Sequence, residues 1–270
     1  MTSVAEALAD APISDTEAQL LLAHVLECSR TWLFTYPDAA LNDEQATHFQ
    51  SLLQRRRSGE PIAYILGYRE FWSLKLEVSP AVLIPRPDTE LLVSWALELI
   101  PTEQALSIID VGTGSGAVAL ALASERPRCR ITGVDISSEA LDVARANAER
   151  LKLNVAYSLS DCLDGLPSQQ YSLIVSNPPY IEQADPHLSR GDLPAEPVIA
   201  LASGPDGLDV IRRLIESAPV QLLPGGHLLL EHGWNQGDAV RQLLLAAGFS
   251  HVSTRRDLAG HERVTGGRWL

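Results

Sequence analysis

From about residue 105 onward, short apolar runs alternate with amphipathic stretches, and this alternation constrains the fold more than any other feature. The apolar runs are residues 106–111, 130–135, 155–159, 173–176 and 227–231. Helical periodicity fills 117–124, 138–151, 208–218 and 236–247 between most of them. Strands alternating with helices predict an α/β class, with a doubly wound and mostly parallel sheet. The tail differs. Segments 252–256 and 263–270 have no helix between them, so a terminal antiparallel hairpin is expected.

The first 70 residues read instead as a small helical bundle. Ser3-Val4-Ala5-Glu6 and Ser14-Asp15-Thr16-Glu17 fit the capping-box pattern, and Asn42-Asp43-Glu44-Gln45 is a similar start for a third helix. Gly59 and Pro61 close that helix after Arg55, Arg56 and Arg57, cations that complement a helix C-terminus. Next, Leu74, Leu76 and Val78 alternate with Lys75 and Glu77. A strand is expected there, with a turn at Ser79-Pro80, a return strand over 82–84, and a helix capped by Asp88 or Thr89. The expected organisation is thus a helical domain over 1–70, a linking hairpin over 71–87 and an α/β domain over 88–270.

Composition narrows the function classes. The 270 residues carry 21 basic against 34 acidic side chains, a formal charge of −13. Bulk phosphate neutralisation needs a basic face, so direct nucleic-acid binding is not expected. The acidic start, with Glu6, Asp10 and Asp15 and no basic run, does not read as a signal peptide. No apolar stretch approaches the ~18 residues of a membrane span. Cys28, Cys129 and Cys162 form no CxxC pair, and the seven histidines show no HExxH spacing. Neither a disulfide framework nor a metal site is expected, and a reducing cytoplasm is the natural compartment.

Three elements carry chemistry. Gly112-Thr113-Gly114-Ser115-Gly116 follows the first α/β strand and opens a helix. Glycines there let backbone approach a ligand closely, although a G-x-G-x-G loop is also found in ordinary tight turns. Asp135 ends the next strand, where a carboxylate can accept from two ribose hydroxyls or cap the helix after Ser137. Asn177-Pro178-Pro179-Tyr180 ends the fourth strand, on the edge where open α/β sheets bind ligands. Two prolines remove backbone donors and leave carbonyls free. The Asn177 side-chain oxygen and the Pro178 carbonyl can both accept from one planar NH2 group, and Tyr180 offers an aromatic face.

With these elements in place, the chain resembles S-adenosylmethionine-dependent methyltransferases that modify planar NH2 groups. Within them it is similar to the bacterial protein-(glutamine-N5) methyltransferases of peptide chain release factors. The resemblance covers nearly the whole chain. It rests on Ile84-Pro85-Arg86-Pro87-Asp88-Thr89-Glu90, Asp110 to Gly116, Val134-Asp135-Ile136-Ser137, Asn177 to Tyr180, Glu196-Pro197, Asp206-Gly207 and Glu231-His232-Gly233. It implies a Rossmann-like methyltransferase domain with S-adenosylmethionine held by Gly112 to Gly116, Asp135, Cys162 and Asn177. It also implies Asn177, Pro178 and Tyr180 as catalytic residues, a substrate amide gripped by Asn177 to Tyr180, and an N-terminal domain that recognises the release factor.

The chain departs from the family at Asp161-Cys162-Leu163, where Asp-Trp-Phe is common. That removes an indole from the adenine side and leaves the backbone of Asp161 and Cys162 for contact. Cys162 is not expected as a nucleophile, because methyl transfer to an amide needs no covalent enzyme intermediate. Glu231-His232-Gly233 is expected to line the site. Arg86 and Glu90 either order a substrate loop or tie the linker to the core. The competing expectation is an adenine-N6 methyltransferase of DNA or RNA, which shares the Asn-Pro-Pro-Tyr element and would stack Tyr180 on a flipped base. A nucleotide-binding module without catalysis would not need that element.

Overall fold

The computed structural model describes residues 2–166 and 170–270. The chain divides into two compact units, Met1–Tyr68 and Arg69–Leu270. Among the described residues, no helix is long and apolar enough to cross a membrane.

The first unit is helical: α1 (Val4–Ala9), α2 (Asp15–Val25), α3 (Arg30–Thr35), α4 (Asp43–Arg57) and α5 (Ile62–Leu66). Its core holds Leu21, Leu22, Leu33, Phe49 and Leu53. Ser3 with Glu6 and Asn42 with Gln45 form reciprocal capping boxes, while Ser14 takes the Glu17 amide. Arg55 and Arg56 sit in the last turn of α4, paired with Glu60 and Glu17 respectively. The sequence pattern shows neither α3 nor α5, because helices of five or six residues are too short to display a period.

A two-stranded ribbon, β1 (Tyr68–Phe71) and β2 (Leu74–Glu77), follows. The alternating strand lies where its pattern places it, but its partner precedes it. The turn is Trp72-Ser73, both with positive φ of 51° and 59°. Residues 82–84 form no strand; the Val82 amide closes a turn on the Ser79 carbonyl. A 3-10 turn (Pro87–Thr89) then leads into α6 (Glu90–Leu99). Thr89 occupies the N-cap, yet its hydroxyl makes no capping bond.

The second unit continues with β3 (Ser107–Val111), α7 (Ala117–Glu125), β4 (Arg130–Asp135), α8 (Ser138–Leu151), β5 (Val155–Leu159) and β6 (Tyr171–Ser176). After three 3-10 turns come α9 (Asp209–Gln221), β7 (Leu222–Glu231), α10 (Gly237–Ala246), β8 (Ser250–Arg256) and β9 (Glu262–Arg268). The strands form one seven-stranded sheet in the order β5-β4-β3-β6-β7-β9-β8. β3 to β7 pair parallel, and β9 pairs antiparallel with both β7 and β8, giving the expected terminal hairpin.

Period-2 alternation divides the apolar strand residues between two faces. Ile108, Leu173, Val175 and Leu229 face one core, with α6 and α7. Ile109, Ile174, Leu228 and Leu230 face the other, with Ile211, Leu214 and Ile215 of α9 and Val240 and Leu244 of α10. Helix α7 is apolar all round, and every residue from Ala117 to Ala123 is buried. Such a helix belongs inside a protein, between other elements.

Candidate active site

One register row of the sheet assembles the site. Val134 pairs with Val111, Val111 with Ser176, and Ser176 with Leu230. Because these strands are parallel, the next residue of each emerges at the same carboxyl edge. Those four residues are Asp135, Gly112, Asn177 and Glu231. The strand order reverses at β3, so successive crossovers leave in opposite directions there and open a crevice. A cleft of about 340 Å3 lies along this edge, lined by the glycine loop, Asp135, Cys162, Asn177, Pro178 and Pro179 among others.

The glycine loop is held from below. Gly112, Gly114 and Gly116 have φ of 70°, 54° and 83°, a region that penalises any side chain. Gly116 is the N-cap of α7 and has no side chain with which to cap it. Asp110, buried in β3, supplies the missing acceptor: its Oδ2 takes the Ala119 amide at 3.1 Å and the Thr113 hydroxyl at 2.7 Å. Burial, with a smaller push from the Asp135 charge, raises the Asp110 carboxyl to about 7. Asn147, fully buried on α8, donates to the Ser115 carbonyl at 3.0 Å and exchanges two bonds with the Glu77 backbone. The Tyr157 ring fills the space beside Gly133, where a Cβ would lie 2.7 Å from it. Sequence reading assigned no role to Asp110, Asn147 or Tyr157. For Asn147 the available signal was a polar residue on the buried face of an amphipathic helix.

Asp135 serves two backbone amides. Its Oδ2 accepts from the Gly114 amide at 2.9 Å and its Oδ1 from the Ser137 amide at 3.0 Å. An ionised carboxylate has about four acceptor sites, so two remain for hydroxyl donors in the cleft. Cys162 lies in the cleft wall with φ of 54°, its carbonyl taking the Ser160 hydroxyl at 3.0 Å. Burial pushes its thiol up to about 11, which keeps it protonated and unsuited to nucleophilic attack.

Asn177 is anchored through its nitrogen. Its Nδ2 donates to Thr89 Oγ1 at 3.0 Å, whereas its Oδ1 is buried and meets no donor. A buried acceptor without a partner costs ~1–3 kcal/mol, and a ligand NH2 group removes that cost. Pro178 and Pro179 line the cleft, but Tyr180 does not. The Tyr180 ring packs against the α9 and α10 core, and its hydroxyl donates to Glu231 Oε1 at 3.5 Å. Its carbonyl accepts from Gln236 at 3.0 Å, and a Cβ at Gly207 would come within 2.2 Å of it.

Glu231 is 1% exposed, and its Oε2 has no hydrogen-bond partner. Burial raises its carboxyl to about 7, against the Thr89 hydroxyl, Arg263 and Tyr180, which favour the ionised form. His232 is also buried, with Nε2 at 2.7 Å from the Thr265 hydroxyl, and burial lowers its pKa. Neither Glu231 nor His232 lines the cleft, contrary to the sequence expectation. Both stand behind it.

The remaining wall joins distant segments. Glu196 is buried and accepts from the Ile84 amide at 3.0 Å and from Arg86. Arg86, Pro197 and Ile199 all line the cleft, so this pair ties the 84–87 segment to the turns after β6. Glu90 accepts from the Trp72 amide at 3.0 Å, which ties the ribbon turn to the start of α6.

Comparison with known proteins supplies the family. A release factor glutamine methyltransferase of Escherichia coli is 51% identical over 254 residues, 94% of this chain and 91% of that one. The chain belongs to the release factor glutamine methyltransferase family. A member from Pseudomonas aeruginosa is 49% identical over 97% of this chain and 95% of its own length. The family models that match are the PrmC N-terminal domain over residues 1–67 and the methyltransferase small domain over 88–191. The crystal structure of a methyltransferase from Pyrococcus furiosus shares the fold, with a TM-score of 0.57 at 20% identity over 81% of this chain and 96% of that one. In release factor glutamine methyltransferase terms, the cleft fits its cofactor. The loop glycines leave backbone open to it, Asp135 keeps free acceptor positions, and the Asn177 oxygen waits beside them without a donor.

Proposed function

We infer that the chain transfers a methyl group from S-adenosylmethionine to the side-chain amide nitrogen of the glutamine in the Gly-Gly-Gln motif of peptide chain release factors. The observation that carries this reading is the Asn177 Oδ1, a buried acceptor with no donor, one residue past the row that also positions the glycine loop. Its chemistry calls for a hydrogen-bond donor, and an amide NH2 supplies one.

The cofactor, when bound, supplies an electrophilic methyl on a sulfonium centre. Gly112 to Gly116, Asp135 and the Cys162 backbone would hold its nucleoside and amino-acid parts. The chain's own task is positioning. An amide nitrogen is a poor nucleophile because its lone pair is delocalised into the carbonyl. Asn177 Oδ1 and the Pro178 carbonyl orient the NH2 group. Their hydrogen bonds strengthen as the nitrogen loses electron density, which favours the transition state over the ground state. Holding the reacting atoms ~3–3.5 Å apart contributes several kcal/mol more. The alkylated nitrogen is acidic, so no strong base is needed. Pro179 lines the same wall. For Tyr180 the packing supports a holding role: its ring and carbonyl fix the end of the Asn-Pro-Pro turn.

The helical unit at residues 1–67, matched by the PrmC N-terminal domain, is assigned to recognition of the release factor. With a release factor as its substrate, the compartment we propose is the cytoplasm. Methylation of adenine is the less favoured reading, because relatives about 50% identical over nearly the full length are named for release factor glutamine and the chain is strongly acidic. Tandem mass spectrometry of a folded release factor incubated with the protein and labelled S-adenosylmethionine tests the assignment. The label is expected on the glutamine side-chain nitrogen, and label on any other atom contradicts it.

A further inference from the structure

We propose that Thr89 and Glu231 set the side-chain amide of Asn177 so that its oxygen, and not its NH2 group, faces the substrate; this rests on Asn177 being the acceptor for the substrate amide. The two ends of an asparagine side chain have nearly the same shape, and only hydrogen-bond partners distinguish them. With the oxygen outward, Asn177 receives an NH2 donor. Flipped, it presents two donors to that NH2 group, and the grip becomes a repulsion.

The structure fixes the choice with residues far apart in sequence. Thr89 Oγ1 accepts from Asn177 Nδ2 at 3.0 Å. Thr89 is 4% exposed and sits at the start of α6 without using its hydroxyl as a cap, so the oxygen is free for this task. A hydroxyl can also donate, and a donating Thr89 would hold the flipped amide equally well. Its proton therefore needs another destination. Glu231 is the carboxyl at hand: it is buried, it follows Leu230, the register partner of Ser176, and so emerges beside Asn177, and the Thr89 hydroxyl favours its ionised form. When the Thr89 proton points to Glu231, the lone pairs of Oγ1 are left for Asn177 Nδ2. Tyr180 donates to Oε1 of the same carboxyl at 3.5 Å and steadies it. Thr89 borders the cleft and Glu231 stands behind it; both are positioning residues that act through Asn177 and determine that the site takes an NH2 donor.

The experiment compares Thr89→Val, Thr89→Ser and Glu231→Gln with Asn177→Ala, measuring kcat and KM on a folded release factor and S-adenosylmethionine affinity by calorimetry. Valine keeps the shape and removes the acceptor, so kcat should fall roughly 10–100-fold with cofactor affinity little changed. Serine restores the hydroxyl and should recover kcat to within about 3-fold of wild type. Glu231→Gln can donate to Thr89 and so tolerates the flipped amide; its kcat should fall by at least roughly 3-fold at unchanged cofactor affinity. Wild-type kcat in Thr89→Val, or a serine variant as slow as the valine one, overturns the proposal. Should Thr89→Val also lose the cofactor, Glu231→Gln decides, and wild-type kcat there overturns it. Full turnover in Asn177→Ala would refute the underlying acceptor reading instead, which separates the two failures.

Discussion

Asp135 at the end of β4 accepts from the backbone amide of Gly114 at 2.9 Å, so a carboxylate of the cleft wall also braces the glycine loop beside it. One side chain thereby couples two neighbouring strand ends. Removing it should damage both functions at once. Asp135→Ala should lose a charge-assisted acceptor, ~1.5–3 kcal/mol, or roughly 10–100-fold in S-adenosylmethionine affinity. Calorimetry on the folded variant checks this.

Asn177 should show the opposite balance. Asn177→Ala removes the acceptor for the substrate amide while leaving the glycine loop and Asp135 in place. Turnover should fall by at least roughly 100-fold, with a smaller loss of cofactor affinity than Asp135→Ala shows. Asn177→Asp retains an acceptor and should be milder. Steady-state kinetics beside calorimetry checks both.

A third expectation concerns pH. Burial raises Glu231 from 4.5 to about 7. Between those values the folded chain keeps a proton that the unfolded chain releases. The stability linked to this group is complete below about pH 4.5 and is lost as pH rises through about 7. Glu231→Gln does not titrate. Its stability relative to wild type should therefore increase from pH 4.5 to pH 8, by an amount on the order of 3 kcal/mol. Denaturant unfolding of both proteins across that range checks the sign. A constant difference would show that Glu231 titrates normally.

Glu196 is the carboxylate that gathers the Ile84 amide and Arg86 onto the wall after β6. Glu196→Ala leaves a buried amide without an acceptor. It should cost ~1–3 kcal/mol of stability, and it should raise the KM for the release factor because the wall carrying Arg86 and Ile199 loosens. Unfolding and kinetics on one preparation test both effects.

The α/β half was legible because most of its strands are apolar runs next to a helix: Arg130–Asp135 and Val155–Leu159 lie where the pattern places them. The ribbon was misjudged because its turn, Trp72-Ser73, adopts positive φ without the Asn or Gly that normally announces it. The residues of the cleft wall carried local signals: glycines after a strand, an acid ending the next, prolines after an asparagine. Thr89 and Glu231 carried no signal of the contacts they make. Thr89 resembled a helix cap and Glu231 a site-lining acid. Their partners lie 88 residues away for the Thr89–Asn177 bond and 51 for Tyr180–Glu231. Only the folded register brings such pairs together.

This chain methylates glutamine in a release factor. The most direct measurement incubates it with labelled S-adenosylmethionine and, separately, a folded release factor, the same factor with its Gly-Gly-Gln glutamine changed to asparagine, and adenine-rich DNA. One methyl on the wild-type glutamine, with none on the asparagine variant or on DNA, is the predicted result. Label on adenine with none on the release factor would contradict the account.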